Sequence, residues 1–251
     1  MMKTYGYYRL AAATPQVRVA HVEFNVDALV ETMKTAVSEG AAVVVFPELC
    51  VTGASCGDLF FQPRLQKAAV QGLQRFAAET AEWNAVAVVG LPLVVEDALY
   101  NVVAVVKQGK VLGLVPASVL TGKRECYAAR YFRPAEELRV ETASIPGHGD
   151  VPIGTDLLFS DGADLCFGVE IGEDAESVIP PSARLALCGA RVILHPAAAP
   201  ELVGSAVYRR RLVEGLSSRC VAAYVHASAG VGESTQDSVS GGQALIACRG
   251  R

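Results

Sequence analysis

Leu165-Cys166-Phe167-Gly168-Val169-Glu170-Ile171-Gly172-Glu173-Asp174 is an apolar run that turns abruptly into a polar corner. Its first seven residues have the length and apolar content of a strand covered on both faces, and Gly172-Glu173-Asp174 supplies the residues that end it. Strands and helices alternate outward from this segment. Upstream, Val17 to Val22 reads as a strand, Val26, Leu29, Val30, Met33 and Val37 recur at helical spacing, and Ala42 to Phe46 reads as a strand again, a βαβ opening. A helix from Leu65 to Glu82 and a strand from Val86 to Leu91 follow, and Tyr100 to Lys107 with Val111 to Val115 flank Gln108-Gly109-Lys110 as a hairpin. Beyond a loop-rich stretch from Thr121 to Gly154, the pattern predicts the strand from Leu165 to Ile171, a helix over Ser182 to Leu187 and a strand over Val192 to His195. A helix over Ala206 to Arg219 and strands over Val221 to Ala227 and Gln243 to Cys248 complete it. Layered sheets flanked by helices are expected.

Residues 1–251 read as one domain, because no Pro/Gly/Ser-rich linker or shift in composition divides them. With 51% apolar and 19% charged residues, the chain can bury a large core. A formal net charge of −4 gives no electrostatic reason to hold nucleic acid or an anionic membrane, and no 18-residue apolar run occurs. Arg209-Arg210-Arg211 reads as a solvated or interface helix face. The seven cysteines lack Cys-x-x-Cys spacing, which predicts reduced thiols and a cytoplasmic protein. Cys166, Cys188, Cys220 and Cys248 sit in apolar contexts and read as small buried hydrophobes. His21, His148, His195 and His226 show no metal-ligand spacing, and neither a P-loop nor a Gly-x-Gly-x-x-Gly sequence is found, so no metal and no cofactor is expected. Ser240-Gly241-Gly242 lacks the Asp-Ser that a pyrophosphate loop would need and reads as a turn.

Phe46-Pro47-Glu48-Leu49 sets a carboxylate just past a buried strand, where open α/β folds build their crevices. Gly57-Asp58-Leu59-Phe60, Tyr100-Asn101-Val102, Gly113-Leu114-Val115-Pro116, Arg124-Glu125, Gly154 to Phe159 and Val169-Glu170-Ile171 follow in order. Tyr208-Arg209-Arg210, Ser218-Arg219-Cys220 and Gly232-Glu233-Ser234-Thr235 complete the series. Together they closely resemble the glutaminase domain of glutamine-dependent NAD synthetase, one of the nitrilase-like carbon-nitrogen hydrolases. The resemblance implies a four-layer αββα sandwich, and it spans nearly the whole sequence.

It also implies a chemistry: a cysteine thiolate attacks the glutamine amide, a glutamate accepts and returns protons, and a lysine stabilises the oxyanion. The ammonia released passes to a separate ATP-using synthetase domain, which residues 1–251 do not contain. Carried onto this sequence, the glutamate is Glu48 and a supporting carboxylate is Glu125. The lysine position is Ala117, in Val115-Pro116-Ala117, and the nucleophile position is Gly172, in Glu170-Ile171-Gly172-Glu173-Asp174. In the pocket, two tyrosine positions are Ala54 and Lys123, an aromatic position is Glu176, a small hydroxyl position is Ala199 and a basic position is Ser205.

A glycine cannot attack a carbonyl, so catalytic inactivity toward glutamine is expected. Cys126, beside Glu125, is the one substitute nucleophile the sequence offers. Three readings follow from the resemblance: a glutaminase by descent, a non-catalytic regulatory or scaffolding partner of an ammonia-using synthetase, and a truncated product. The sequence ends at Arg249-Gly250-Arg251 where the relatives would continue into further strands, so a sheet lacking its last strands, and a homo-oligomer formed through that edge, are expected.

Overall fold

The computed structural model describes residues 6–121, 127–233 and 238–251. The strands are β1 Leu10–Ala12, β2 Val43–Val45, β3 Val86–Val95, β4 Ala98–Lys107, β5 Lys110–Pro116, β6 Thr142–Ile145, β7 Gly149–Pro152, β8 Phe159–Ser160, β9 Cys166–Val169, β10 Val192–Ala197, β11 Ala223–Ser228 and β12 Ala244–Cys248. The helices are α1 Val22–Ser38, α2 Pro63–Glu79, α3 Ala128–Tyr131, α4 Pro181–Leu187 and α5 Ser205–Cys220. Two five-stranded sheets form, in the orders β1-β2-β3-β4-β5 and β12-β11-β10-β9-β8, with β6 and β7 as a separate hairpin.

The layering follows from the strands' period of two. Along β2, Val44 packs outward with Val26, Leu29 and Met33 of α1 and Leu73 and Phe76 of α2. Val43 and Val45 face the other way and meet Phe167, Val169, Leu194 and Val225 of the second sheet. Ile193 and Tyr224, on that sheet's far face, pack with Leu185 of α4 and Val213 and Leu216 of α5. Each sheet is thus covered on both faces, which explains why its central strands are continuously apolar rather than alternating. The result is the expected αββα sandwich.

One predicted strand is misplaced. Residues 17–22 are not a strand: the first is β1, whose Leu10, Ala11 and Ala12 pair in parallel with Val43, Val44 and Val45. Asn25 of α1 turns its side chain back onto residue 18, accepting from the Arg18 N–H and donating to the Arg18 and Val51 carbonyls, so those backbone groups serve a helix entry instead of a ladder. The hairpin of β6 and β7 also lies inside the stretch that reads as loop. At the other end, β12 runs antiparallel to β11 and forms the edge of its sheet.

Candidate functional site

Four chain segments converge where the two sheets open. Glu48 follows β2, and its backbone crosses closely over Gly90 of β3, where an added Cβ would lie 2.3 Å from the Leu49 nitrogen and 2.7 Å from the Glu48 Cα. Only glycine fits that crossing. Asn101 of β4 donates from Nδ2 to Glu48 Oε2 at 3.3 Å. Ala117, just past β5, donates its N–H to the Asn101 carbonyl at 2.9 Å. Gly172 begins the 3-10 turn after β9 at φ +51°, a left-handed conformation.

Asp174 binds that turn to the loop after β5. Its Oδ2 accepts from the Ile171 N–H at 3.0 Å, and its Oδ1 accepts from the Ser118 and Val119 N–H groups at 2.9 and 2.7 Å. Glu173 repeats the link, accepting from Thr121 N–H at 2.7 Å and Thr121 Oγ1 at 2.5 Å. Positions 117 and 172 are therefore held in register by backbone donors rather than by their own side chains.

The segments enclose a cavity of about 760 Å³. Glu48, Ala54, Ala117, Gly172, Glu176, Ala199 and Ser205 all line it, so seven of the nine positions taken from the resemblance meet at one place. Lys123 and Glu125 lie outside the described residues, as does Cys126. Among the described residues lining the cavity there is neither a cysteine nor a lysine. Where a side chain at position 172 would begin, the Glu48 carboxyl already stands: an ideal Cβ would lie 2.6 Å from Oε2.

Burial pushes the Glu48 carboxyl up to about 8, aided by the negative charges of Glu173, Asp174 and Glu233 and opposed by the Asn101 hydrogen bond. At neutral pH it carries a proton. Burial also lifts Asp174 to about 7, against the backbone donors that favour its charged form. Glu233, another carboxyl on the wall, is raised by burial and steadied by the Ala54 and Ser55 N–H groups, at 2.8 and 3.3 Å from Oε2. It holds the loop carrying Ala54.

Behind the corner, His195 Nε2 lies 2.8 Å from the Gly172 carbonyl, and His195 Nδ1 lies 3.0 Å from His226 Nδ1. Burial lowers the pKa of both rings, His226 to about 2, so both are neutral. The parallel pairing of β10 with β11 sets the two histidines opposite each other, a juxtaposition that spacing along the chain does not reveal. The described residues hold no cluster of three or more histidine, cysteine or acidic side chains arranged to bind a metal ion.

Arg209 departs from the sequence expectation. It is buried rather than on a solvated face, bound to Glu201, to Gln243 Oε1 and to the Pro200 carbonyl, while Arg210 and Arg211 are exposed. Cys188 and Cys248 are exposed rather than buried, one at the end of α4 and the other on edge strand β12. All six described cysteines are free.

The sequence matches the carbon-nitrogen hydrolase family over residues 9–249. The chain belongs to that family. The chain is 40% identical over 244 residues to a glutamine-dependent NAD(+) synthetase of Mycobacterium tuberculosis, an alignment covering 96% of this chain and 36% of the relative. The corresponding Mycobacterium leprae protein is 37% identical over 245 residues, covering 96% of this chain and 35% of that protein. The chain thus spans little more than a third of the curated relatives it matches. A crystal structure of a glutamine-dependent NAD(+) synthetase from Cytophaga hutchinsonii superposes with a TM-score of 0.83 at 27% identity, over 97% of this chain and 39% of that chain. No helix among the described residues is long and apolar enough to cross a membrane.

Proposed function

We propose that this carbon-nitrogen hydrolase domain serves NAD biosynthesis without hydrolysing glutamine, as a regulatory or scaffolding partner of an ammonia-using synthetase. The observation that carries the reading is the corner between Glu48 and Gly172. Amide hydrolysis of the implied kind needs a thiolate at 172 and a cation at 117, and the two positions hold a hydrogen atom and a methyl group. Glu48 is the residue that would have moved the protons. Protonated and without a thiol to serve, it has no base role at neutral pH. Glu125 would support it, and Ala54, Lys123, Glu176, Ala199 and Ser205 would be the altered substrate contacts.

Free cysteines are in keeping with a cytoplasmic setting, and the open edge of β12 favours self-association, which sedimentation of the purified chain would test.

Ammonia release from glutamine tests the reading directly. The unmodified chain is expected at the uncatalysed background, since removing a catalytic nucleophile costs roughly 10⁴-fold or more. A Gly172→Cys/Ala117→Lys double variant is expected to rise at least about tenfold above its parent, the lysine entering beside Asn101 and drawing the Glu48 proton off. Release by the unmodified chain overturns the proposal.

A further inference from the structure

The two buried histidines leave one atom unaccounted for, and their hydrogen bonds determine which kind of atom it is. The Gly172 carbonyl can only accept, so His195 Nε2 carries the proton that reaches it at 2.8 Å. Neutral His195 then has a bare Nδ1, which accepts at 3.0 Å from a protonated His226 Nδ1. It follows that His226 Nε2 is a bare acceptor. It is buried and has no partner among the described residues, and His226 as a whole is 2% exposed.

A second, small cavity of about 20 Å³ adjoins it, and His226, His195, Gly172, Glu176, Leu212 and Arg209 are among the residues that line it. That volume suits one water, which occupies roughly 10 to 15 Å³ on this measure. Arg209 has the complementary excess. Of its five N–H groups, Nε donates to Gln243, one Nη1 hydrogen to the Pro200 carbonyl at 3.1 Å, and two from Nη2 to Glu201 and to Ser205 Oγ at 3.1 Å. The second Nη1 hydrogen has no acceptor among the described residues.

We propose that a single water bridges Arg209 Nη1 to His226 Nε2, and that the resulting chain, Arg209, water, His226, His195, is a fixed-tautomer relay that positions the carbonyl of residue 172. The relay joins α5, through β11 and β10, to the corner after β9. Every donor in it then meets one acceptor, and reversing either ring breaks two contacts at once. His195 and His226 are positioning residues, and their role holds whether or not the domain hydrolyses glutamine.

Nitrogen NMR of the chain labelled with ¹⁵N-histidine tests the relay, because each ring nitrogen reports whether it carries a proton. The expected result is a neutral His195 protonated at Nε2 and a neutral His226 protonated at Nδ1. A His226 protonated at Nε2, or on both nitrogens at neutral pH, overturns the proposal. In His226→Leu, His195 loses the donor that fixes its ring, and its two tautomers are expected to mix; an unchanged His195 spectrum also overturns it. Arg209→Gln removes the donor to the water and is expected to shift His226 Nε2 while leaving His195 in its tautomer. No movement at Nε2 eliminates the bridge. If either variant does not fold, the unmodified spectrum still decides the tautomers, and a crystal structure with ordered density between Arg209 Nη1 and His226 Nε2, or with none, decides the water.

Discussion

Glu48 and Glu170 are both carboxyls set among apolar strands, one at the end of each sheet's central region, and they have been treated in opposite ways by the residues around them. Glu170, fully buried, accepts from the Ser182 N–H at 2.7 Å and from the Tyr224 hydroxyl, which fasten the start of α4 and the start of β11 to the strand end. Glu48 receives one long hydrogen bond, from Asn101, and faces a cavity with three other carboxyls acting on it. A buried polar group that is fully satisfied holds structure together. One left poorly satisfied costs stability and persists where a site once used it or still does.

The comparison breaks most readily at Glu170. Replacing it by alanine strands the Tyr224 hydroxyl and the Ser182 N–H in the core and opens a cavity beneath α4, an expected loss of about 3 to 5 kcal/mol. Denaturant unfolding measures it. A loss below about 1 kcal/mol would mean that Glu170 is no clamp and that the contrast with Glu48 is false.

Glu48 should behave in the reverse sense, and pH exposes it. Its folded pKa, about 8, lies above the ordinary value of 4.5, so between these limits the folded chain holds a proton that the unfolded chain has lost. Stability attributable to this group is therefore greatest below 4.5 and falls as pH rises through 8. Glu48→Gln, which resembles the protonated form at every pH, is expected to match the parent near pH 4, to exceed it by about 2 kcal/mol near pH 6 and to exceed it by about 4 kcal/mol near pH 9. Asp174 titrates in the same window in both proteins, so the difference between the two unfolding curves isolates Glu48. A constant difference across that range would place the Glu48 pKa near its ordinary value.

How far these contrasts are legible in sequence depends on how far apart their partners lie. The apolar runs of β3, β4, β10 and β11 declare themselves because burial on both faces leaves few polar residues to interrupt the pattern. β1 does not, being three residues of Leu-Ala-Ala whose only strand signal is the parallel partner β2, and the valines at 17 and 19 imitate a strand they do not form. Glu48, Ala117 and Gly172 are legible as an ordered set of motif positions. Asn101, Asp174 and Glu233 lie within the motif segments too, but what they do is not legible: each acts through a hydrogen bond to a residue more than 50 positions away, and a single sequence carries no trace of such pairings. The tautomer chain behind Gly172 needs the register of two strands before it can be suspected at all.

The smallest effect is the most discriminating for the corner itself. Gly172→Ala adds one methyl group at φ +51°, which costs about 1 kcal/mol for the backbone alone, and the new Cβ also meets Glu48 Oε2 at 2.6 Å. The sum is expected at about 1 to 2 kcal/mol. In a Glu48→Ala background the contact vanishes and only the backbone share remains, so the two substitutions should be non-additive by about 0.5 to 1 kcal/mol, well within what a double-mutant cycle resolves. Coupling of that size means that Glu48 occupies the space a nucleophile's side chain would need, and that restoring a cysteine at 172 must first displace the carboxyl. Additive costs would mean instead that Glu48 swings aside freely, leaving the missing thiol and lysine as the whole of the loss.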